Sequence, residues 1–582
     1  MSYILGINAF HANSSACILK NNEVIFAIEE ERINRIKNYS GFPFKSIHLC
    51  LEYANINLNE IIFIAINRNS KSNLLQKVLF SFQNYHNLKF ALKKVKNIIN
   101  LNNIEDYFLK EFKLLKLKPK ILFIDHHISH MASSFLTSKF KESALLSLDG
   151  FGDFASCAIG LGDGNDLKIK HKVFYPHSLG ILYQSITQML GFKNYGDEYK
   201  IMGMSALGKN KFEKEFKDII SIKDWDYKLN KHYFSYFEQG LNFNFKNIKP
   251  IFPNLYNNRM IKLFGLDKKN IYIQELKADI ACSLQVTFER ALFSILKYIE
   301  KNVNTKNLSY AGGCAMNSLA NGKILQNTKF KNLSIHSASY DAGGAIGAAA
   351  YAYFKYYKKK IIIKSNYLGP QYDNSEIKII LDNKNINKKF KIEFKKNENE
   401  IINFIVKKII KKKIIGLFRG RLEWGARSLG NRSILADPRG KNIKSIINKK
   451  IKLRESFRPF APSILHRQAK IWFFFKKIKE VSNMMQVLKF KKNVETIAPA
   501  IRHRDNTGRL QTVKKDDNKF YYKLLSKFFK ETKVPMLLNT SFNIQEPIVC
   551  KPKDAINCFK KSKMDFLILE NFIITKKNDN IY

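Results

Sequence analysis

Acidic residues are scarce in this chain: 49 Asp and Glu stand against 99 Lys and Arg, a formal net charge of +50 over 582 residues. Cysteine is scarcer, and Cys17, Cys50, Cys157, Cys282, Cys314, Cys550 and Cys558 show neither the spacing of a disulfide framework nor the paired pattern of a zinc module. A stapled secreted scaffold is therefore excluded, and a reducing compartment is expected. No apolar run is long enough to span a bilayer, and Met1-Ser-Tyr-Ile-Leu lacks the basic-then-apolar opening of a secretion signal. The expectation is a cytoplasmic protein with no membrane span.

So few acids among so many bases invites a nucleic-acid reading, because phosphate backbones attract basic surfaces without regard to sequence. The lysines, however, are scattered in short runs such as Lys93-Lys94, Lys358-Lys359-Lys360 and Lys411-Lys412-Lys413, and they rise together with Ile and Asn. That joint rise is the mark of a nucleotide-biased genome, so nucleic acid is not the expected partner. The 45% hydrophobic and 13% aromatic content is that of a globular protein, with room for about two to four domains.

The apolar patterning reads as α/β. The first thirty residues form a strand hairpin, from Tyr3-Ile-Leu-Gly-Ile-Asn through a polar turn at His11 to Ser15, then Ala16-Cys-Ile-Leu and Glu23-Val-Ile-Phe-Ala-Ile. A second hairpin runs from Ser143 through the turn Asp149-Gly-Phe-Gly-Asp153 and resumes at Ser156. Two such hairpins, each followed by helical material, suggest a duplicated core that grips phosphates in its turns, the logic of the actin-like ATPase fold. Two further glycine turns precede helices, and there a nucleotide could approach bare backbone: Gly312 and Gly313 with Asn317, and Gly343.

Between these hairpins stands Asp125-His-His-Ile-Ser-His130, opening a helical stretch. Helix positions four apart share a face, so His126 and His130 can offer imidazoles to one metal ion while His127 points elsewhere. Two histidines leave coordination positions open, as an ion that does chemistry requires. Residues 209–277 turn aromatic and irregular and read as an inserted subdomain or lid. Tyr367-Leu-Gly-Pro-Gln and the basic stretch before it mark a boundary near 360, giving domains 1–360 and 361–582.

The second domain carries Arg421, Arg427 and Arg432 among glycines around Glu423, then Lys452, Arg458, Arg509, and Asn539-Thr-Ser541-Phe-Asn543. Guanidinium forks bind phosphate oxygens bidentately, and glycine lets backbone amides approach, so this pattern suits a polyanion pocket. Arginine is the minority cation here, and drift toward lysine does not account for it.

Together these segments resemble the O-carbamoyltransferases of the nodulation-factor and antibiotic (tobramycin, cephamycin) type. The resemblance covers nearly the whole chain in family order. It is carried by Glu29 to Lys37, the His126/His130 segment, Gly196-Asp-Glu-Tyr-Lys-Ile-Met-Gly203, Glu423 to Arg439, Phe457-Arg-Pro-Phe-Ala-Pro462 and Asn539 to Asn543. It implies an N-terminal actin-like domain joined to a C-terminal YrdC-like domain. The latter would use carbamoyl phosphate and ATP, with Mg(II), to make carbamoyl adenylate, and the former would transfer the carbamoyl group to a hydroxyl of a small molecule or glycan.

By the same resemblance Lys452 and Arg458 bind carbamoyl phosphate and nucleotide, and Ser541 and Asn543 match the Ser-x-Asn motif. His126, His130, Asp149 and Asp341 ligate a divalent metal, Fe(II) being the expected ion, and His11 is the general base. The sequence departs from the pattern at Ala12, where aspartate is usual and Asn13 is the candidate substitute, and at Asn506 and Gln545, where glycine is common. Gln545 is expected to strain the Ser541 loop. Two other readings stay open: a tRNA threonylcarbamoyladenosine-type modification enzyme and an inactive binding descendant. A homodimer also stays open, and no motif encodes the acceptor.

Overall fold

A computed structural model describes residues 2–83, 104–164, 166–239, 249–266, 273–475, 477–491 and 493–577. The Lys93-Lys94 run and residues 240–248 and 267–272 of the expected insert lie outside them. The chain divides into two compact units. The first comprises Met1–Glu31, Lys37–Asn317 and Asn327–Lys364, and the second Arg32–Ile36, Ser318–Gln326 and Ser365–Tyr582.

The first unit holds two five-stranded sheets that are topological copies of each other. One contains β1 (Tyr3–Asn8), β2 (Ser15–Lys20), β3 (Glu23–Glu29), β4 (Phe63–Ile66) and β5 (Lys120–Phe123), in the order β3-β2-β1-β4-β5. Pairing is antiparallel through the first three strands and parallel onward. The expected hairpin is thus a three-stranded meander, because Asn21, at φ 53°, turns the chain once more.

The other sheet contains β6 (Ser143–Gly152), β7 (Ala155–Gly162), β8 (Leu167–Phe174), β11 (Asn307–Ala311) and β12 (Asn332–Ser334), in the order β12-β11-β6-β7-β8. It repeats the same antiparallel and parallel pattern. The central strand of the first sheet, β1, is buried along its whole length, as a strand covered on both faces must be.

Two helices join this core to the site. The helix His126–Phe135 follows β5, and the helix Gly343–Tyr357 packs on it and on β1. Gly347 makes that contact possible, since a Cβ there would stand 1.8 Å from the Ser129 carbonyl oxygen. The insert is more regular than its sequence suggests. A hairpin of β9 (Ile220–Lys223) and β10 (Asp226–Leu229) is flanked by the helices Glu213–Ile219 and Asn258–Leu263. Its aromatic residues Phe216, Tyr227, Phe234 and Phe264 are the buried core of that element.

The second unit is built on an eight-stranded mixed sheet. Its strands are β13 (Phe390–Phe394), β14 (Ile415–Phe418), β15 (Arg432–Ala436), β16 (Ala461–Leu465), β19 (Gln511–Val513), β20 (Met536–Ser541), β21 (Phe566–Leu569) and β22 (Phe572–Lys576). They run in the order β13-β22-β21-β14-β15-β20-β16-β19. The helix Glu398–Ile410 buries Ile401, Ile402, Ile405, Val406 and Ile409, one stripe at helical spacing. The fold is mixed α/β in both units. The motif Glu29 to Lys37 gains a structural meaning here, since Arg35 donates to the Ile548 carbonyl at 2.7 Å within the second unit.

Candidate functional site

The site of the first unit begins at a helix cap. Asp125 accepts hydrogen bonds from the His127 and Ile128 amides at 2.9 and 3.1 Å, and Lys172 holds its other oxygen at 3.0 Å. Capping of this kind satisfies amides that the first helical turn leaves open and fixes where the helix starts. The helical phase then places His126 and His130 on one fully buried face. Asp153 accepts the His126 amide at 2.9 Å, and Gly152 leaves room for its ring, since a Cβ there would stand 2.0 Å from the imidazole.

Against this face come Asp149, from β6, and Asp341, just before the helix Gly343–Tyr357. His126 Nε2 lies 2.9 Å from Asp149 Oδ2 and 3.0 Å from His130 Nε2. His130 Nε2 is 3.6 Å from an oxygen of each aspartate, and His126 Nε2 is 3.8 Å from Asp341 Oδ1. One ligand atom from each of the four residues lies within 4.8 Å of the others, and all four residues are buried. Burial alone would favour the neutral acid at Asp149, but hydrogen bonds from His126 and His130 outweigh it and hold the carboxyl well below the usual range. Burial likewise opposes charge on His130, and the bonds to Asp149 and Asp341 override it, lifting the imidazole to about 9.

These residues fit a divalent transition ion. Donor atoms about 2.1 Å from a common ion stand roughly 3 to 3.5 Å apart, and the 2.9 to 3.8 Å separations between these imidazole and carboxylate atoms bracket that spacing. Two imidazoles with two carboxylates are a mixed set that suits iron, zinc or manganese chemistry better than the all-oxygen preference of magnesium or calcium.

His11 joins the cluster, its ring stacked on that of His126 with centroids 4.9 Å apart. Its Nε2 is buried without a hydrogen-bond partner in the protein. Burial first, then the neighbouring His126 and Arg68, hold its pKa well below the ordinary value. Asn13 does not take the place of the missing carboxylate at Ala12. Its amide donates to Asn38 at 3.3 Å, directed by a backbone at φ 58°.

The glycine turns expected to receive a nucleotide in this unit spend their amides inside the protein. Gly312 donates to the Ser339 carbonyl and Gly343 to that of Tyr340, at 2.8 and 2.9 Å, while Gly313 donates to Asp149 Oδ1 at 2.7 Å. Asn317 exchanges hydrogen bonds with Gln285. Gly313 braces the aspartate and the others bond elsewhere in the protein, a role invisible until β6 and β11 pair.

In the second unit Lys452 is the centre of a cage. Its Nζ lies 2.8 and 3.1 Å from the carbonyl and hydroxyl of Ser541, and 2.8 and 2.6 Å from the carbonyl and side-chain oxygens of Asn543. The structure therefore brings Lys452, Ser541 and Asn543 together. Arg458 lies near in the chain, its Nε 2.8 Å from Glu455. Arg509 ends β18 (Thr507–Arg509), partly exposed, and Arg427 is partly exposed in the loop after β14.

Three expected anion ligands are differently employed. Arg432 is fully buried, bonded to the carbonyls of Arg419, Gly420, Asn431 and Pro370 and stacked 3.6 Å over Phe418. Enclosed by carbonyls, it acts as a strut in this arrangement. Arg421 donates to the carbonyls of Gly369 and Leu368. Asn539, 1% exposed, commits its amide to Ser428, Ser463 and Gln511.

Glu423, whose role the sequence did not reveal, accepts the amides of Leu429, Asn431 and Arg432 at 2.8, 2.8 and 3.0 Å and so holds the arginine loop. Gln545 is not strained. Its φ is not positive, and its side chain donates to the Leu453 carbonyl at 3.0 Å, whereas Asn506 does adopt the left-handed conformation, at φ 58°.

Among the described residues, no helix is long and apolar enough to cross a membrane. Comparison with known proteins agrees over both units. Residues 3–350 match the family description "Carbamoyltransferase N-terminus" and residues 406–576 "Carbamoyltransferase C-terminus". The chain is 34% identical to an uncharacterized protein of Synechocystis sp., over 99% of this chain and 97% of that one. It is 32% identical to the nodulation protein NolNO of Sinorhizobium fredii, over 98% and 80%. Among solved structures, component A of (R)-2-hydroxyglutaryl-CoA dehydratase from Acidaminococcus fermentans is similar at 13% identity and a TM-score of 0.31, over 61% of this chain and 99% of that one. The chain belongs to the carbamoyltransferase family and is a carbamoyl-transferring enzyme.

Proposed function

We propose that the chain is an ATP-dependent O-carbamoyltransferase working in two half-reactions. In the second unit, read as YrdC-like, carbamoyl phosphate, ATP as its Mg(II) complex and one water give carbamoyl adenylate, inorganic phosphate and pyrophosphate. In the first unit, read as actin-like, the oxygen of an acceptor hydroxyl attacks the carbamoyl carbon, AMP leaves, and the hydroxyl proton passes to a base. The acceptor is a hydroxyl-bearing small molecule or glycan.

The observation that carries this reading is the convergence of His126, His130, Asp149 and Asp341 beside His11. A carbamoyl group is a poor electrophile because its nitrogen donates into the carbonyl, so activation needs both a good leaving group and charge stabilisation at the carbonyl oxygen. His126, His130, Asp149 and Asp341 would hold a divalent ion, taken as iron, which when bound supplies Lewis acidity to that oxygen. His11, whose buried Nε2 no protein group satisfies, would take the acceptor's proton. Lys452 with Ser541 and Asn543 would bind the donor and nucleotide, and Arg458, Arg509 and Arg427 would contribute further cations. An adenylate is labile in water, which favours making and using it on one chain.

The test is to supply labelled carbamoyl phosphate, ATP, magnesium, iron and cell extract, following pyrophosphate and label. The expected result is pyrophosphate release that depends on carbamoyl phosphate, followed by label in a stable carbamate ester. Pyrophosphate release that ignores carbamoyl phosphate would overturn the scheme.

A further inference from the structure

His503 lies in the second unit and is 8% exposed. It closes a tight turn: its amide donates to the Thr507 carbonyl at 2.9 Å, and Asn506, left-handed at φ 58°, donates back to its carbonyl at 3.1 Å. Its Nδ1 stands 3.1 Å from Thr507 Oγ1, and that hydroxyl donates to Asp505 Oδ1 at 2.7 Å.

A hydroxyl has one proton and a carboxylate has none to give. The Thr507 proton is committed to Asp505, so in the Nδ1 contact the histidine must be the donor. The ring proton therefore resides on Nδ1, and Nε2 carries a bare lone pair. That Nε2 is buried and has no hydrogen-bond partner in the protein, which costs free energy unless a ligand supplies a donor. The doubly protonated form is suppressed as well. Burial, joined by Arg509 and Lys444 and opposed by Asp505, holds the imidazole at about 4.

Apart from Asp505, which is engaged by the Thr507 hydroxyl, the charges acting here are cations: Arg509 and Lys444, with Arg454 acting on Lys444. Cations recognise anionic oxygens, but an acceptor lone pair among them repels such oxygens and wants an N–H or O–H. A ligand with anionic oxygens at one end and a proton donor at the other would satisfy both the cations and the bare Nε2. Carbamoyl phosphate has that chemistry, and its methyl analogue acetyl phosphate lacks the donor.

We propose that His503 is the specificity-determining residue for the carbamoyl donor, its Nε2 accepting a hydrogen bond from the donor's amino group while Lys444 and Arg509 face the anionic oxygens. The inference rests on the reading of the second unit as the donor-activating one. Thr507 is the positioning residue, because it fixes the tautomer.

The test compares carbamoyl phosphate with acetyl phosphate in driving pyrophosphate release from ATP by the full-length wild type, His503→Leu and Thr507→Val. Sites built around a buried polar contact reject analogues lacking the partner group by large factors, so the wild type should prefer carbamoyl phosphate by about 10²- to 10⁴-fold in kcat/KM. In His503→Leu the preference should collapse to within about tenfold, chiefly through a raised KM for carbamoyl phosphate, with the KM for ATP unchanged. Thr507→Val, which frees the tautomer and leaves the ring in place, should fall between the two. A wild type that uses acetyl phosphate as readily as carbamoyl phosphate would overturn the assignment alone, whatever the variants do. So would a preference that survives in both variants. A wild type that releases no pyrophosphate in response to carbamoyl phosphate would overturn the activation scheme and this assignment together.

Discussion

The Nε2 atoms of His126 and His130 stand 3.0 Å apart in the buried core of the first unit. Two imidazole lone pairs cannot face each other at that distance without a proton or a cation between them. Asp149 and Asp341 make the arrangement a site for positive charge. His126→Ala or His130→Ala should therefore bind at least about tenfold less iron than wild type and lose carbamoyl transfer, while carbamoyl-phosphate-dependent pyrophosphate release continues. Metal analysis of the purified variants beside the two activity assays checks this, and wild-type metal content in both variants would refute it.

The converse separation is expected at Lys452. Lys452→Ala removes the ammonium that the oxygens of Ser541 and Asn543 surround, and pyrophosphate release should fall by about 10²-fold or more. Bound metal should remain at the wild-type level. Arg458→Ala should act in the same direction, and preformed carbamoyl adenylate should restore transfer in either variant.

His11→Ala should leave metal content and pyrophosphate release intact and slow transfer by about 10²- to 10⁴-fold, the usual scale for loss of a general base. Full transfer at saturating acceptor would mean that the ring merely packs on His126.

Gly347 allows the helix that Asp341 precedes to lie against the helix of His126 and His130, with the Ser129 carbonyl in the space of a Cβ. Gly347→Ala must push those helices apart. A stability loss of about 1 to 3 kcal/mol is expected, the usual cost of overpacking, together with weakened metal binding. Urea unfolding and a metal titration of the same preparation read both.

Glu198, in the Gly196 to Gly203 segment, offers a pH test away from the metal ligands. Burial first, then the Asp197 carboxylate, lift its carboxyl to about 7. Below the unfolded value, near 4.5, both states are protonated and the group contributes nothing. As pH rises from there toward 7 the unfolded chain gives up its proton first, so the folded state loses stability, and above about 7 the loss is complete. Glu198→Gln should match wild type near pH 4.5 and exceed it by about 1 to 3 kcal/mol at pH 8. Unfolding midpoints across that range should diverge, and parallel curves would exclude the effect.

What the sequence determined by itself is what local geometry can carry. The i, i+4 spacing of His126 and His130 needs only a helix, and Asp125 supplies its cap, so their shared face could be read before any fold was known. The alternation and turn residues of the two hairpins likewise announced a repeated α/β core, because strand pairing across a tight turn is decided within about twenty residues.

Only the tertiary structure decided which groups meet over long separations and what each donor is spent on. Asp149 and Asp341 come to the histidines through the pairing of β6 with β11 and the packing permitted by Gly347, contacts no residue pattern encodes locally. Gly312, Gly313, Gly343, Arg421 and Arg432 look in sequence like phosphate ligands, because residue type specifies donors and not their acceptors. The fold spends most of those donors on Asp149 and on backbone carbonyls, whose positions depend on the whole packed core. The bare lone pair of His503 is of the same kind: its chemistry follows from where one proton of Thr507 goes, and only the closed turn determines that.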